Sequence, residues 1–104
     1  MDVLEILQSA REKIANPENW GKGMRTINRP YKTCCAAEAI EECSLGVEHD
    51  ATLMRTRVQA YQAIANAAGL DRNGMLSQWN DAPERTHREV LAAFDLAIAT
   101  LKFN

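Results

Sequence analysis

Apolar residues recur along most of this chain at intervals of three and four, the spacing of a helix with one buried face. Val3, Leu7, Ala10 and Ile14 form the first such stripe, flanked by Leu4 and Ile6, with Glu5, Arg11 and Glu12 opposite. Asp2 can cap this helix, and Glu5 three positions on approximates a capping box. Asn16-Pro17-Glu18 ends it and starts another turn: Asn caps, Pro fits the first helical position, and Glu suits the positive end. Trp20 follows as a core anchor. The stretch 21–32 then loses the pattern. Two glycines, Asn28-Arg29-Pro30 and scattered bases predict an extended loop or a weak hairpin. It is long for a connection, and long connections often carry contacts.

The pattern resumes over 34–43, with Thr33 as the expected cap and Cys35, Ala36, Ala39, Ile40 and Cys43 as the expected buried face. A longer helix is predicted from Asp50 to about Ala68. Its stripe is Met54, Val58, Tyr61, Ala65 and Ala68, with Leu53 and Ile64 beside it and Gly69 as its stop. Residues 75–79 have no clear type, and Asn80-Asp81-Ala82-Pro83 is expected to turn, because a residue before proline leaves the helical region. The last helix begins at Thr86, where Thr86-His87-Arg88-Glu89 is a capping box, and continues through Val90, Leu91, Phe94, Ala97, Ile98 and Leu101. No segment alternates with a period of two. The predicted fold is all-α: a single domain over 1–104, a bundle of about four main helices with a long irregular loop after the first.

Composition narrows the functional classes. Apolar residues make up 46% of 104, but sixteen are alanine, so the core is modest and its helices approach closely. A charged fraction of 25% with net charge -2 suits a soluble protein and argues against a disordered chain or a broadly basic nucleic-acid binder. No apolar run reaches the roughly 18 residues of a spanning helix, so no membrane partner is expected. The start of the chain carries Asp2 and Glu5 before any base, unlike a secretory signal, which places the protein in the cytoplasm. Three cysteines, two of them adjacent, fit reduced thiols there. Cys34, Cys35, Cys43, His49 and His87 are the soft metal ligands, and none lies in a C-x-x-C or H-x-x-x-H pair. No metal or cofactor is expected.

Charge is uneven all the same. Lys22, Arg25, Arg29 and Lys32 occupy 21–32 without an acid, and Glu38, Glu41, Glu42, Glu48 and Asp50 occupy 37–50 without a base. These segments read as two solvated faces of opposite sign, with an anion-binding strip as the functional alternative.

The densest polar chemistry is Trp79-Asn80-Asp81, Pro83 and Arg85-Thr86-His87. His87 continues the stripe of Leu91, Phe94, Ile98 and Leu101, so it should point inward, with Asn80 or Asp81 as the nearest partners in sequence. The motif can serve as a clamp that fixes a loop to the bundle. It can also be a ligand or partner site, together with Lys22, Arg25, Arg29 and Lys32 across a cleft. A third possibility is a hydrolase-like site, with Asp81 and His87 as acid–base pair and Arg85 holding an anion. Missing for catalysis are a neighbouring Ser or Cys nucleophile, a second His and a glycine-rich phosphate loop.

The stretch 76–98 resembles the C-terminal signature of a small family of uncharacterised proteins, about a hundred residues long, from bacteria and their viruses. The residues concerned are Trp79-Asn80-Asp81, Pro83, Arg85-Thr86-His87, Glu89-Val90-Leu91, Phe94-Asp95 and Ala97-Ile98. The Pro17-x-x-Trp20-x-x-Gly23 entry is also similar, as is Cys35 followed by Glu38-Ala39-Ile40, where the family more often shows Cys-x-x-Gly-Ala. The resemblance implies no catalytic residues. The family's viral members suggest a host protein or a small nucleotide-like anion as the target, in the host cytoplasm if the source is viral. The expected function is a non-enzymatic binding or regulatory protein, a homodimer that covers leftover apolar surface, with the hydrolase-like site as the alternative.

Overall fold

In the computed structural model, residues 2–23, 32–44, 50–71 and 74–103 are described. Helix α1 spans Val3–Lys13, a 3₁₀ turn Pro17–Asn19, α2 Ala36–Glu42, α3 Ala51–Ala67, α4 Leu76–Asp81 and α5 His87–Phe103. Four of the five α-helices have seven residues or more, and the described residues hold no strand, so the all-α reading stands. The one extended pairing is a parallel bridge between Trp20 and Cys34.

Both caps expected on α1 and α5 form. Asp2 accepts from Glu5 N at 2.8 Å while Glu5 reaches back to Asp2 N, and Thr86 and Glu89 exchange the same pair of bonds at 3.1 and 3.0 Å. Along α1, Ile6, Leu7, Ala10 and Ile14 are fully buried; along α5, Val90 and Phe94 are fully buried, and Ala97 nearly so. Ile40 of α2 and Ile64 of α3 complete the centre. Each large side chain among these removes enough apolar surface from water to contribute roughly 1.5–3 kcal/mol. Alanines at 10, 36, 39 and 60, all at zero exposure, let the helices close on one another.

Three local expectations are corrected. Cys35, not Thr33, caps α2, and the helix starts at Ala36. The cause is the Trp20–Cys34 bridge: Cys34 N donates to Asn19 O at 2.8 Å and Gly21 N to Cys34 O at 3.1 Å, which holds Cys34 extended. Glu38, the departure from the family pattern, then closes a capping box by accepting from Cys35 N at 2.9 Å.

The stripe of α3 is also offset. Ala60 and Ile64 are its buried residues, whereas Met54 and Val58 are 41% and 46% exposed. A helix packed through alanine sits closer to its neighbours than one packed through methionine, and the line through Ile64 wins. Finally, Asn80 and Asp81 close α4 rather than forming a turn; the turn begins at Ala82. Proline at 83 restricts Ala82, which is extended at ψ 138°, and leaves Asn80 free to remain helical.

Arg57, half-buried, was not apparent as a structural residue. It donates to Ser44 Oγ and Ser44 O at 2.8 Å and to Glu41 O at 3.3 Å, satisfying carbonyls at the C-terminal end of α2.

Candidate functional site

Asn80 is the polar centre of the molecule, with no exposed surface. Its Oδ1 accepts from Trp20 Nε1 at 2.7 Å and from Ala36 N at 3.0 Å. Its Nδ2 donates to Gly21 O and to Asp81 Oδ1, both at 3.0 Å. A carboxamide has two acceptor and two donor positions, and all four are used. One side chain at the end of α4 thus ties the segment after α1 to the N-terminus of α2.

His87 opens α5 and lies half-buried against the Trp20 ring, with centroids 5.7 Å apart. Its Nε2 lies 2.6 Å from Ile14 O, the carbonyl of the residue that caps α1. A carbonyl only accepts, so Nε2 carries the proton and donates. The partner of His87 is therefore a backbone carbonyl from the other end of the sequence, not Asn80 or Asp81.

Lys22 reaches the same region from the loop side. Its Nζ donates to Ala82 O at 2.7 Å and Pro83 O at 3.2 Å and lies 5.7 Å from the Trp20 ring centroid. Arg85 donates from Nε to Trp79 O at 3.0 Å, pairs with Glu89 at 3.1 Å, and lies over the Trp79 ring at 4.4 Å. Trp79 is held by this cation on its face; its indole N–H meets no acceptor among the described residues. Glu89 is held below the usual carboxylate range, chiefly by the Thr86 backbone N–H, then by the Thr86 hydroxyl and Arg85.

The structure brings Lys22, Trp79, Asn80, Asp81, Arg85 and His87 into one neighbourhood around the α4–α5 turn. No hydrogen bond or ion pair joins Asp81 to His87 among the described residues. Lys32 is exposed, and Arg25 and Arg29 lie outside the described residues, as does His49. Among the described residues no three His, Cys, Asp or Glu side chains gather as a metal ion would require.

The thiols serve structure. Cys34 donates to Glu42 Oε2 at 2.7 Å, and Glu42 also faces Lys13 at 3.6 Å. Burial pushes the Cys35 thiol up to about 11 and raises Cys43. None of the three is in a disulfide.

A second feature was not foreseen from sequence. A groove of about 630 Å³ runs between α3 and α4, lined by Tyr61, Gln62, Asn66, Asp71, Met75 and Ser77 among others. The sequence assigned Tyr61 and Ala65 to the core stripe of α3. Tyr61 does pack against the core, half-buried, and together with Ala65 it also lines the groove. Burial raises the Tyr61 phenol above its ordinary value, with Glu41 adding to the effect. Gly74 shapes one wall: a Cβ there would lie 2.9 Å from Leu70 Cβ. Met75, at 56% exposure, forms the rim.

A short helical bundle closed by an asparagine clamp, with an open groove beside it, is the class these features define. The chain belongs to a family of unknown function, DUF6197, whose model matches residues 1–100. No curated protein and no solved structure matches it. No helix formed by the described residues is long and apolar enough to cross a membrane.

Proposed function

We propose that this protein is a non-enzymatic binding protein that captures its partner in the groove between α3 and α4. One observation carries the reading: the groups a hydrolytic site would need are already engaged within the fold. His87 donates to Ile14 O, Arg85 holds Trp79 O and Glu89, and Asp81 accepts from Asn80. Lys22, a cation of the basic loop, donates to two carbonyls. The groove, in contrast, offers a phenol, two carboxamides, a hydroxyl and an exposed thioether. That lining suits recognition of a peptide segment, since amides match a backbone and methionine adapts to apolar side chains. The reading includes a viral source and a host protein as the partner. The Trp79-Asn80-Asp81 and Arg85-Thr86-His87 signature acts in it as the frame that sets the angle of α4 against α3.

Selection of displayed peptides on the immobilised protein tests this. Peptides that bind the wild type and lose binding to Ala65→Trp, which fills the groove, are the expected result. Nucleotides form the comparison arm. Stabilisation by a mono-, di- or cyclic nucleotide that Ala65→Trp leaves untouched would point to the basic loop instead. Hydrolysis of ester or phosphoester substrates that disappears in a folded Asp81→Asn protein would overturn the non-enzymatic reading.

A further inference from the structure

The outer face of α5 is patterned although none of the described residues covers it. The helix buries Val90, Phe94 and Ala97 on one side. On the other lie Ala92, Leu96, Ala99 and Phe103, spaced four, three and four apart, the heptad spacing of a helix-pairing seam. Leu96 is 54% exposed and Phe103 87%. Small and large residues alternate along the seam: Ala, Leu, Ala, Phe.

We propose that a second copy of this chain covers this seam, with the two α5 helices antiparallel about a two-fold axis between positions 97 and 98. In that register Leu96 faces the partner's Ala99 and Phe103 faces the partner's Ala92. Every layer then sets a large side chain against a small one, and a two-fold axis makes each contact twice. Charge selects the same orientation. Asp95 and Lys102 lie on one flank of the seam, seven apart; Asp95 pairs with Arg11 of its own chain but keeps more than half of its side chain exposed, and Lys102 is exposed. Antiparallel pairing brings the partner's Lys102 to the open side of each Arg11–Asp95 pair, and the two-fold axis makes that approach twice. Parallel pairing would stack Phe103 on Phe103, leave the alanine layers underfilled and separate the two charges. On the other flank, a recess of about 300 Å³ between α3 and α5, lined by Ala63, Ala67, Ala97 and Thr100 among others, widens the surface next to Leu96.

The seam is about 16 Å long at 1.5 Å per residue. A contact of that length buries less than the roughly 800 Å² per partner of a standard stable interface. The dimer is therefore concentration-dependent and reversible. Its centre lies on α5, away from the groove between α3 and α4, although Asn66 lines both that groove and the recess beside the seam.

Sedimentation equilibrium from micromolar to millimolar protein is the first test, with far-UV circular dichroism to confirm that each variant is folded. A monomer–dimer equilibrium is expected for the wild type, with Leu96→Glu and Phe103→Glu monomeric throughout. The second test fixes orientation. In a Cys43→Ser background, Ala92→Cys and Phe103→Cys proteins are mixed and oxidised with glutathione disulfide. A disulfide-linked heterodimer, with no cross-link in either protein alone, is expected. A wild-type monomer at millimolar concentration would overturn the proposal. So would a dimer indifferent to both glutamates, or cross-links that form only between like copies.

Discussion

Trp20 donates its indole proton to the fully buried Asn80 across 60 positions of sequence, at 2.7 Å. The same Asn80 oxygen accepts from Ala36 N. Removing that side chain strands two donors and the Gly21 carbonyl, and a buried unsatisfied polar group costs about 1–3 kcal/mol. Asn80→Ala is expected to destabilise by about 3 kcal/mol, a fall in Tm on the order of 12–20 °C. Asn80→Asp keeps the acceptor but turns a lone pair toward Gly21 O, and is expected to fall as far. Thermal denaturation followed at 222 nm measures both.

The His87 bond to Ile14 O makes a different demand. His87→Ala leaves the last carbonyl of α1 without its donor and opens space beside Trp20, so a loss of about 1–2 kcal/mol is expected. Among the described residues Asp81 accepts only from Asn80, and Asp81→Ala is expected to cost about half as much. Urea titrations rank the three. A Asp81→Ala protein less stable than Asn80→Ala would contradict the assignment of Asn80 as the hub.

Glu89 links α5 to acid. Its carboxylate is held below the ordinary value of 4.5 by Thr86 and Arg85. A carboxylate with a depressed folded value stabilises fully above its unfolded value and loses that contribution as pH falls through the folded one. Stability should decline below about pH 4.5, and Glu89→Gln should flatten the decline. Melting curves between neutral and acidic pH compare the two.

The alkaline limb is set by a thiol. Burial raises Cys35 from 9.0 to about 11. The unfolded chain loses this proton first, so stability falls as pH rises through that interval, by on the order of 2 kcal/mol. Cys35→Ser supplies an oxygen to cap α2 and does not titrate there, so its decline should be smaller, leaving the part that Cys43 and Tyr61, both also raised by burial, contribute. With thiol reagents at neutral pH, half-buried Cys43 should react well before Cys34 and Cys35, and all three should react once the chain is unfolded.

Arg57 offers a stability test remote from the clamp. Arg57→Ala removes three bonds to Glu41 and Ser44 and is expected to cost about 1–2 kcal/mol. Lysine, lacking the forked guanidinium, should restore under half of that. Chemical denaturation checks both.

The limits of helices α1 and α5 were legible because capping boxes are local: Asp2 with Glu5 and Thr86 with Glu89 act within four residues. So was the inward aim of His87, which follows from period alone. Its partner was not, because Ile14 O lies 73 positions away and nothing in a spacing rule points there. The cap of α2 was misplaced by two residues because the Trp20–Cys34 bridge, a tertiary contact, overrides what Thr33 offers locally. The face of α3 was misread because alanine scores as weakly apolar in any pattern, yet its small size decides which side of a helix can approach. The groove was hidden by the same error.

Asn80 lies in the last third of the chain, yet it fixes Trp20, Gly21 and Ala36 in the first. As the chain leaves the ribosome, the segment between α1 and α2 emerges with its donors satisfied by water, and no earlier residue can replace the carboxamide. Only when α4 is free of the tunnel can the bonds of Asn80 to Trp20, Gly21 and Ala36 form. A chain truncated before position 80 keeps much of its apolar content but lacks what would hold its first half in place. Such a fragment should be cut by a protease faster than the whole chain.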